Sequence, residues 1–192
     1  MEIVDIVQKF QLGDKEAFNQ LYELYIERAM KTAYFISGKK GIAEDIVQET
    51  FTEVFLKRRT LRNPQKFNSW FYSILIRTGG RMAVKQRDSS DTEEIFEDMI
   101  YSRSDEVEVA AESKEINLKI QEILRTLSVP MKTVVILYYY NDMTTKEIAK
   151  VLECFQGTVK SRLHKARKII REELLKYYEE DLVGKYILKR SV

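Results

Sequence analysis

One cysteine and one histidine occur in 192 residues. Cys154 alone excludes an intrachain disulfide framework and a cysteine-based zinc site. His164 alone makes a His-rich metal site or a Ser/His/Asp triad hard to build. Proline occurs twice and glycine seven times, while Ala, Leu, Ile, Glu and Lys are frequent, a balance that favours helix. No apolar run approaches the roughly 18 residues that span a bilayer. The opening MEIVDIVQKFQLGD alternates charged and apolar residues, unlike a signal peptide. These absences predict a soluble, intracellular, mostly helical chain. Carboxylate pairs such as Glu44/Asp45 and Glu93/Glu94 are sequence neighbours that do not converge, so a metal-dependent nuclease is disfavoured.

The formal charge of +2 conceals an uneven distribution. Asp88–Glu112 carries ten acids and one base, Arg103, whereas residues 1–87 and 113–192 carry net charges of +5 and +6. Two basic blocks around an acidic strip predict two nucleic-acid-facing domains and a linker. We place the first helical domain at 1–87, the linker at 88–113, the second helical domain at 114–178 and a tail at 179–192. Ile95, Phe96, Met99, Ile100 and Tyr101 form an apolar island in the linker. The segment is either a solvated tether, or one that docks on a partner or covers a basic face.

Apolar spacing predicts helices at Ile3–Phe10, Lys15–Ser37, Ile42–Arg59 and Lys66–Gln86 in the first block, with Asp14 as an N-cap and Asn63-Pro64 in a loop. Gly79-Gly80 inside the fourth segment predicts a weakened or bent helix. The second block holds candidates at Ile116–Leu127, Lys132–Tyr140, Thr145–Leu152 and Thr158–Tyr178. Leu127-Ser-Val-Pro130 serves as a break, and Asp142 and Thr144 sit at a cap.

The segment from Thr144 to Leu175 carries the most information. Val159, Leu163, Ala166 and Ile170 share one face of its last helix. Lys160, Ser161, His164, Lys165, Arg167, Lys168 and Arg171 occupy the rest, with no acid among them. Braced by Thr145–Leu152, such a helix suits the DNA major groove as the second half of a helix-turn-helix. The amides at Gly157-Thr158-Val159 suit a phosphate.

GTVKSRLHKAR with EIAKVL upstream resembles the final DNA-binding region of bacterial RNA polymerase sigma factors. AEDIVQETF (Ala43–Phe51) resembles that family's polymerase-binding helix, and FNSWFYSILIR (Phe67–Arg77) its promoter-melting helix. With no domain between the two blocks, the chain resembles the small extracytoplasmic-function (ECF) group. The resemblance covers roughly Phe18–Arg87 and Glu115–Leu175. It implies an all-α promoter-specificity subunit with no catalytic residues, metal, cofactor or small-molecule substrate of its own. Its implied partners are core RNA polymerase (largest and second-largest subunits), promoter DNA and an anti-sigma factor, commonly membrane-anchored and relieved by stress. Its implied place is the cytoplasm.

The polar stripe Asp45, Gln48, Glu49 and Thr52 is then the contact for the clamp coiled coil of the largest subunit. Cations and a loop that runs into aromatics suit single-stranded DNA, so Arg62, Asn63, Lys66, Arg77, Thr78, Arg81, Lys85 and Arg87 are expected at the −10 element. Trp70 and Phe71 are expected in the core. On the −35 helix, Lys160, Ser161, His164 and Lys165 are the candidate base readers. Thr158, Arg162, Arg167 and Lys168 are the candidate phosphate contacts. The linker's acids are expected to mimic nucleic acid in the RNA channel. The chain departs from the family pattern at Thr78, Met82, Pro130 and Glu153, which replace Asn, Asp, a Leu-Pro step and a turn glycine. A stand-alone helix-turn-helix regulator would account for the second block but leave AEDIVQETF and the aromatic helix without a role.

Overall fold

The computed structural model describes residues 2–85 and 119–188. The acidic linker with its apolar island, Arg87 and the tail end 189–192 lie outside the described residues. Among those described there are helices and turns but no strand. The elements are α1 (Ile3–Gln11), α2 (Lys15–Ser37), α3 (Lys40–Lys57), α4 (Phe67–Lys85), α5 (119–126), α6 (Val129–Val135), α7 (Thr145–Val151) and α8 (Gln156–Leu188).

The first four helices form a bundle in which α2 packs on α1, α3 and α4. Asp14 caps α2 by accepting from the Glu16 and Ala17 amides at 2.8 and 3.1 Å. Gly38 ends it at φ 76°, donating its N–H to the Tyr34 carbonyl at 2.7 Å, a left-handed turn that glycine adopts without steric cost. The centre is aromatic. Phe71 is fully buried, with its ring 4.9 Å from Tyr25, 5.3 Å from Phe51 and 5.3 Å from Tyr72. Trp70 is half-buried against Phe67.

The glycine pair does not break α4. The helix runs unbroken through Gly79 and Gly80, because its inner face is held by the buried Phe71, Ile74 and Leu75. A Cβ on Gly80 would meet nothing within 4 Å. Gly80→Ala should therefore stabilise the bundle by about 1 kcal/mol, seen as a rise of several degrees in its thermal midpoint.

The second bundle packs α6 and α7 on α8 around Leu137, Ile148, Val159, Leu163 and Ala166. Pro130 does not delay α6 to Lys132 but occupies its first turn, where a missing N–H is no loss. α6 then widens into a π turn over Ile136–Tyr140, with the Asn141 N–H donating to the Ile136 carbonyl at 3.1 Å. α8 starts two residues earlier than the spacing predicts and continues past Tyr178.

The two bundles touch through α4 and α7, and through α2 and the end of α6. Asn141 Nδ2 donates to Thr32 Oγ1 at 3.0 Å, and both side chains are buried. Arg28 lies 3.8 Å from Asp142, and Arg77 lies 3.5 Å from Glu153. Among the described residues, Asp142 and Glu153 are the two non-glycine residues with positive φ, 53° and 49°. Each occupies a strained turn position while its carboxylate reaches the other bundle.

Candidate nucleic-acid and polymerase interface

α3 presents one face inward, with Ala43, Ile46, Val47, Thr50, Phe51 and Val54 buried. The opposite face exposes Asp45, Gln48, Glu49 and Thr52 together. The expected polar stripe is thus a continuous strip on a helix clamped from behind. Beside it, Phe18, Tyr22, Ile26, Met30, Phe55 and Leu56 line an apolar groove between α2 and α3.

The loop between α3 and α4 exposes Arg59, Arg62, Asn63 and Lys66. Asn63 shapes it, its side chain accepting from the Gln65 amide at 3.0 Å. Arg58 has a different task. Its Nη1 donates to the Phe55 carbonyl at 2.8 Å, and its guanidinium lies 4.7 Å from the Phe55 ring centre. It braces the loop's entry instead of facing a strand.

Of the α4 candidates, Arg77 and Arg81 are exposed; the side chain of Lys85 lies outside the described residues. Thr78 corrects the sequence expectation. It is fully buried, and its hydroxyl accepts from Arg81 Nη2 at 3.1 Å. With Gly79 also buried and Met82 half-buried, the Thr78–Met82 departure lies largely on the inner side of α4. Thr78 steadies Arg81 and presents no atom to DNA in this arrangement.

Arg81 is itself engaged, 3.1 Å from Glu53 Oε2 and 3.5 Å from Glu49 Oε1. Lys57 also pairs with Glu53. Burial pushes the Glu53 carboxyl up, but the hydrogen bonds and charges of Lys57 and Arg81 outweigh it and hold it below the usual carboxylate range. Residue type alone does not single out Glu53. The available signal was Glu49, Glu53 and Lys57 at successive four-residue steps, the spacing of helical ion pairs.

The helix-turn-helix is held at two points. Thr144 and Glu147 form a capping box, with Thr144 Oγ1 accepting from the Glu147 amide at 3.3 Å and Glu147 Oε2 accepting from the Thr144 amide at 3.0 Å. Gln156 Nε2 donates to Thr145 Oγ1 at 2.8 Å, tying the start of α8 to that of α7. Thr144→Ala should cost about 1 kcal/mol, measured by urea unfolding. The hydrogen bonds from Thr144 hold the Glu147 carboxyl below the usual carboxylate range. Its contribution is complete above the unfolded value and disappears as pH falls through the lower folded one, so the penalty of Thr144→Ala should shrink in acid.

On α8, Lys160, Ser161, His164, Lys165 and Lys168 are exposed along one side. Thr158 and Arg162 are half-buried and line a concavity with Ser128, Pro130 and Met131 from the start of α6. Arg167 differs from the expectation. Its Nε donates to the Tyr139 hydroxyl at 2.8 Å, and its guanidinium lies 5.5 and 5.6 Å from the Tyr138 and Tyr139 ring centres. The cause is position: Arg167 follows the buried Leu163 by one turn and borders the inner face. With Arg171 it rims an apolar groove of about 620 Å³ whose lining includes Phe35, Ile123, Leu124 and Leu174.

Among the described residues no group of three His, Cys, Asp or Glu side chains could hold a metal ion, and no helix is long and apolar enough to cross a membrane.

Residues 21–89 match sigma-70 region 2 and residues 117–170 match sigma-70, region 4. The chain is 29% identical over 182 residues to the ECF RNA polymerase sigma factor SigW of Bacillus subtilis, covering 91% of this chain and 97% of that protein. It is 35% identical over 144 residues to the RNA polymerase sigma factor SigV of the same organism, covering 73% and 78%. Against the ECF RNA polymerase sigma-E factor of Escherichia coli it is 29% identical over 182 residues, covering 86% and 90%. In fold it is similar to CnrH in complex with the cytosolic domain of CnrY, with a TM-score of 0.66, 18% identity, and coverage of 90% of this chain and 96% of that one. It is also similar to the sigma factor RpoE in complex with the anti-sigma factor NepR from Bartonella quintana, with a TM-score of 0.62, 24% identity, and coverage of 82% and 96%. The chain therefore belongs to the sigma-70 family of RNA polymerase sigma factors, in its extracytoplasmic-function group.

Proposed function

We propose that the chain directs promoter-specific transcription initiation as an alternative sigma factor, acting in the cytoplasm and with no catalysis of its own. The stripe Asp45, Gln48, Glu49 and Thr52 docks on the largest subunit of core polymerase. The second bundle lays α8 in the major groove of the −35 element. There Lys160, Ser161, His164 and Lys165 face the bases, while Thr158, Arg162 and Lys168 face phosphates. Arg62, Asn63, Lys66, Arg77, Arg81 and Lys85 hold the melted −10 strand, where cations grip the backbone and the loop takes an unstacked base.

The observation that carries this reading is one chain with an exposed polar stripe on its region 2 match and an exposed basic helix on its region 4 match. A stand-alone regulator would need only the second. The −35 and −10 elements lie roughly 25 base pairs apart, about 85 Å at 3.4 Å per pair, so bundles in mutual contact must part to read both. The partner proposed for the apolar groove rimmed by Arg167 and Arg171 is an anti-sigma factor, free or membrane-anchored, since RpoE was solved with one.

The test is run-off transcription with core polymerase over a genomic promoter library. Defined start sites dependent on the added chain are expected. Stoichiometric binding to core without specific initiation would sink the promoter-reading claim, and no binding to core would sink the docking claim.

A further inference from the structure

The guanidinium of Arg81 stands where two proposed contacts meet. From α4 it reaches across to α3, 3.1 Å from Glu53 Oε2 and 3.5 Å from Glu49 Oε1. The Glu53 side chain is only 13% exposed and is held by Lys57 as well as by Arg81, so it stays paired whether or not Arg81 also meets Glu49. The Glu49 side chain is 51% exposed and lies on the outward strip with Asp45, Gln48 and Thr52. The result is a chain of alternating charges, Lys57–Glu53–Arg81–Glu49. Glu49 is its one member assigned to the polymerase, and Arg81 its one member assigned to DNA.

A carboxylate engaged by an arginine has less to offer a second set of donors, and an arginine between two carboxylates has less to offer a phosphate. We propose that Arg81 competes with core polymerase for Glu49, so that docking withdraws Glu49 from Arg81 and leaves the guanidinium one anionic neighbour fewer to offset its attraction for the −10 strand. Glu53 keeps Arg81 anchored to α3 throughout, and the Thr78 hydroxyl supports it from α4. The exchange rests on the docking and −10 roles proposed above and adds a coupling between them. Because linkage is reciprocal, DNA drawn onto Arg81 strengthens the hold of the polymerase on Glu49. Arg81 is thus a positioning residue for the docking face as well as a DNA contact.

The coupling predicts a result that neither a plain DNA contact nor a structural role would give. Labelled full-length chain is titrated with core polymerase, without DNA, for wild type, Arg81→Gln, Glu49→Gln and the double variant. Arg81→Gln should tighten core binding by roughly two- to fivefold, the range that one exposed ion pair supplies. In the Glu49→Gln background the same substitution should change nothing, and Arg81→Lys, which keeps the charge, should stay near wild type. Thermal midpoints are recorded alongside. If Arg81→Gln lowers its midpoint, Arg81→Met, which keeps the aliphatic stem, must give the same tightening. Core affinity unchanged or weakened by Arg81→Gln, or tightening that persists without Glu49, overturns the competition. A wild-type chain that fails to bind core overturns the docking role itself, and the coupling with it.

Discussion

Phe71→Ala should remove about 3–5 kcal/mol from the first bundle, the cost of deleting a fully buried aromatic and leaving its cavity. Domains of this size have roughly 5–15 kcal/mol in total, so a large share of its stability goes with one ring. The ring has nowhere to be replaced from. Tyr25, Phe51, Phe67 and Tyr72 surround it, with centroids between 4.9 and 6.0 Å away, and each is fixed by its own helix. The effect reaches function through α3. Phe51 lies on the same helix as Asp45, Gln48, Glu49 and Thr52, on the face opposite them, so a loosened ring cluster lets the proposed docking strip drift. Urea unfolding followed by circular dichroism should show an early transition for the first bundle. The second has its own core around Leu137, Ile148 and Val159 and should keep its −35 duplex binding. A single transition, lowered as a whole, would mean instead that the α4–α7 contact makes the bundles one cooperative unit.

Much of this architecture could be read from residue spacing. The bounds of α2 follow from Asp14 and Gly38, and the inner faces of α3, α4 and α8 follow from apolar residues three and four apart. What spacing does not encode is where a cation is already committed. Arg58, Arg77, Arg81 and Arg167 look alike in sequence. In the fold, one braces a loop, one meets Glu153, one joins two glutamates and one lies over two tyrosines. Those assignments depend on partners up to 76 residues away, as between Arg77 and Glu153. The turns hide for a different reason. Asp142 and Glu153 adopt positive φ without the glycine that would announce it, and the π turn at Ile136–Tyr140 has no compositional mark. Gly79-Gly80 misleads in the opposite direction, because tertiary packing of Ile74 and Leu75 overrides a local penalty of about 1 kcal/mol per residue.

The commitment of Arg167 separates it from its neighbour Lys168 and from Lys165, and holoenzyme binding to a −35 promoter duplex should resolve all three. Lys165 is exposed on the outer side of α8 and is proposed as a base reader. Lys165→Ala should cost about 1–3 kcal/mol on the preferred sequence, roughly 5- to 150-fold, and much less on a scrambled one. Lys168 is 74% exposed, its only described ion pair a 3.9 Å contact with Glu172. As a phosphate contact, its replacement by alanine should weaken all sequences alike and reduce the slope of log K against log salt by about 0.9. Arg167→Ala should leave that slope unchanged, because the guanidinium is spent on the Tyr139 hydroxyl and the rings of Tyr138 and Tyr139. Its loss should appear as a lower unfolding midpoint of the second bundle. A salt slope that fell by the same amount for Arg167→Ala as for Lys168→Ala would show that Arg167 leaves the tyrosines on DNA and returns to the phosphate role its sequence position suggests.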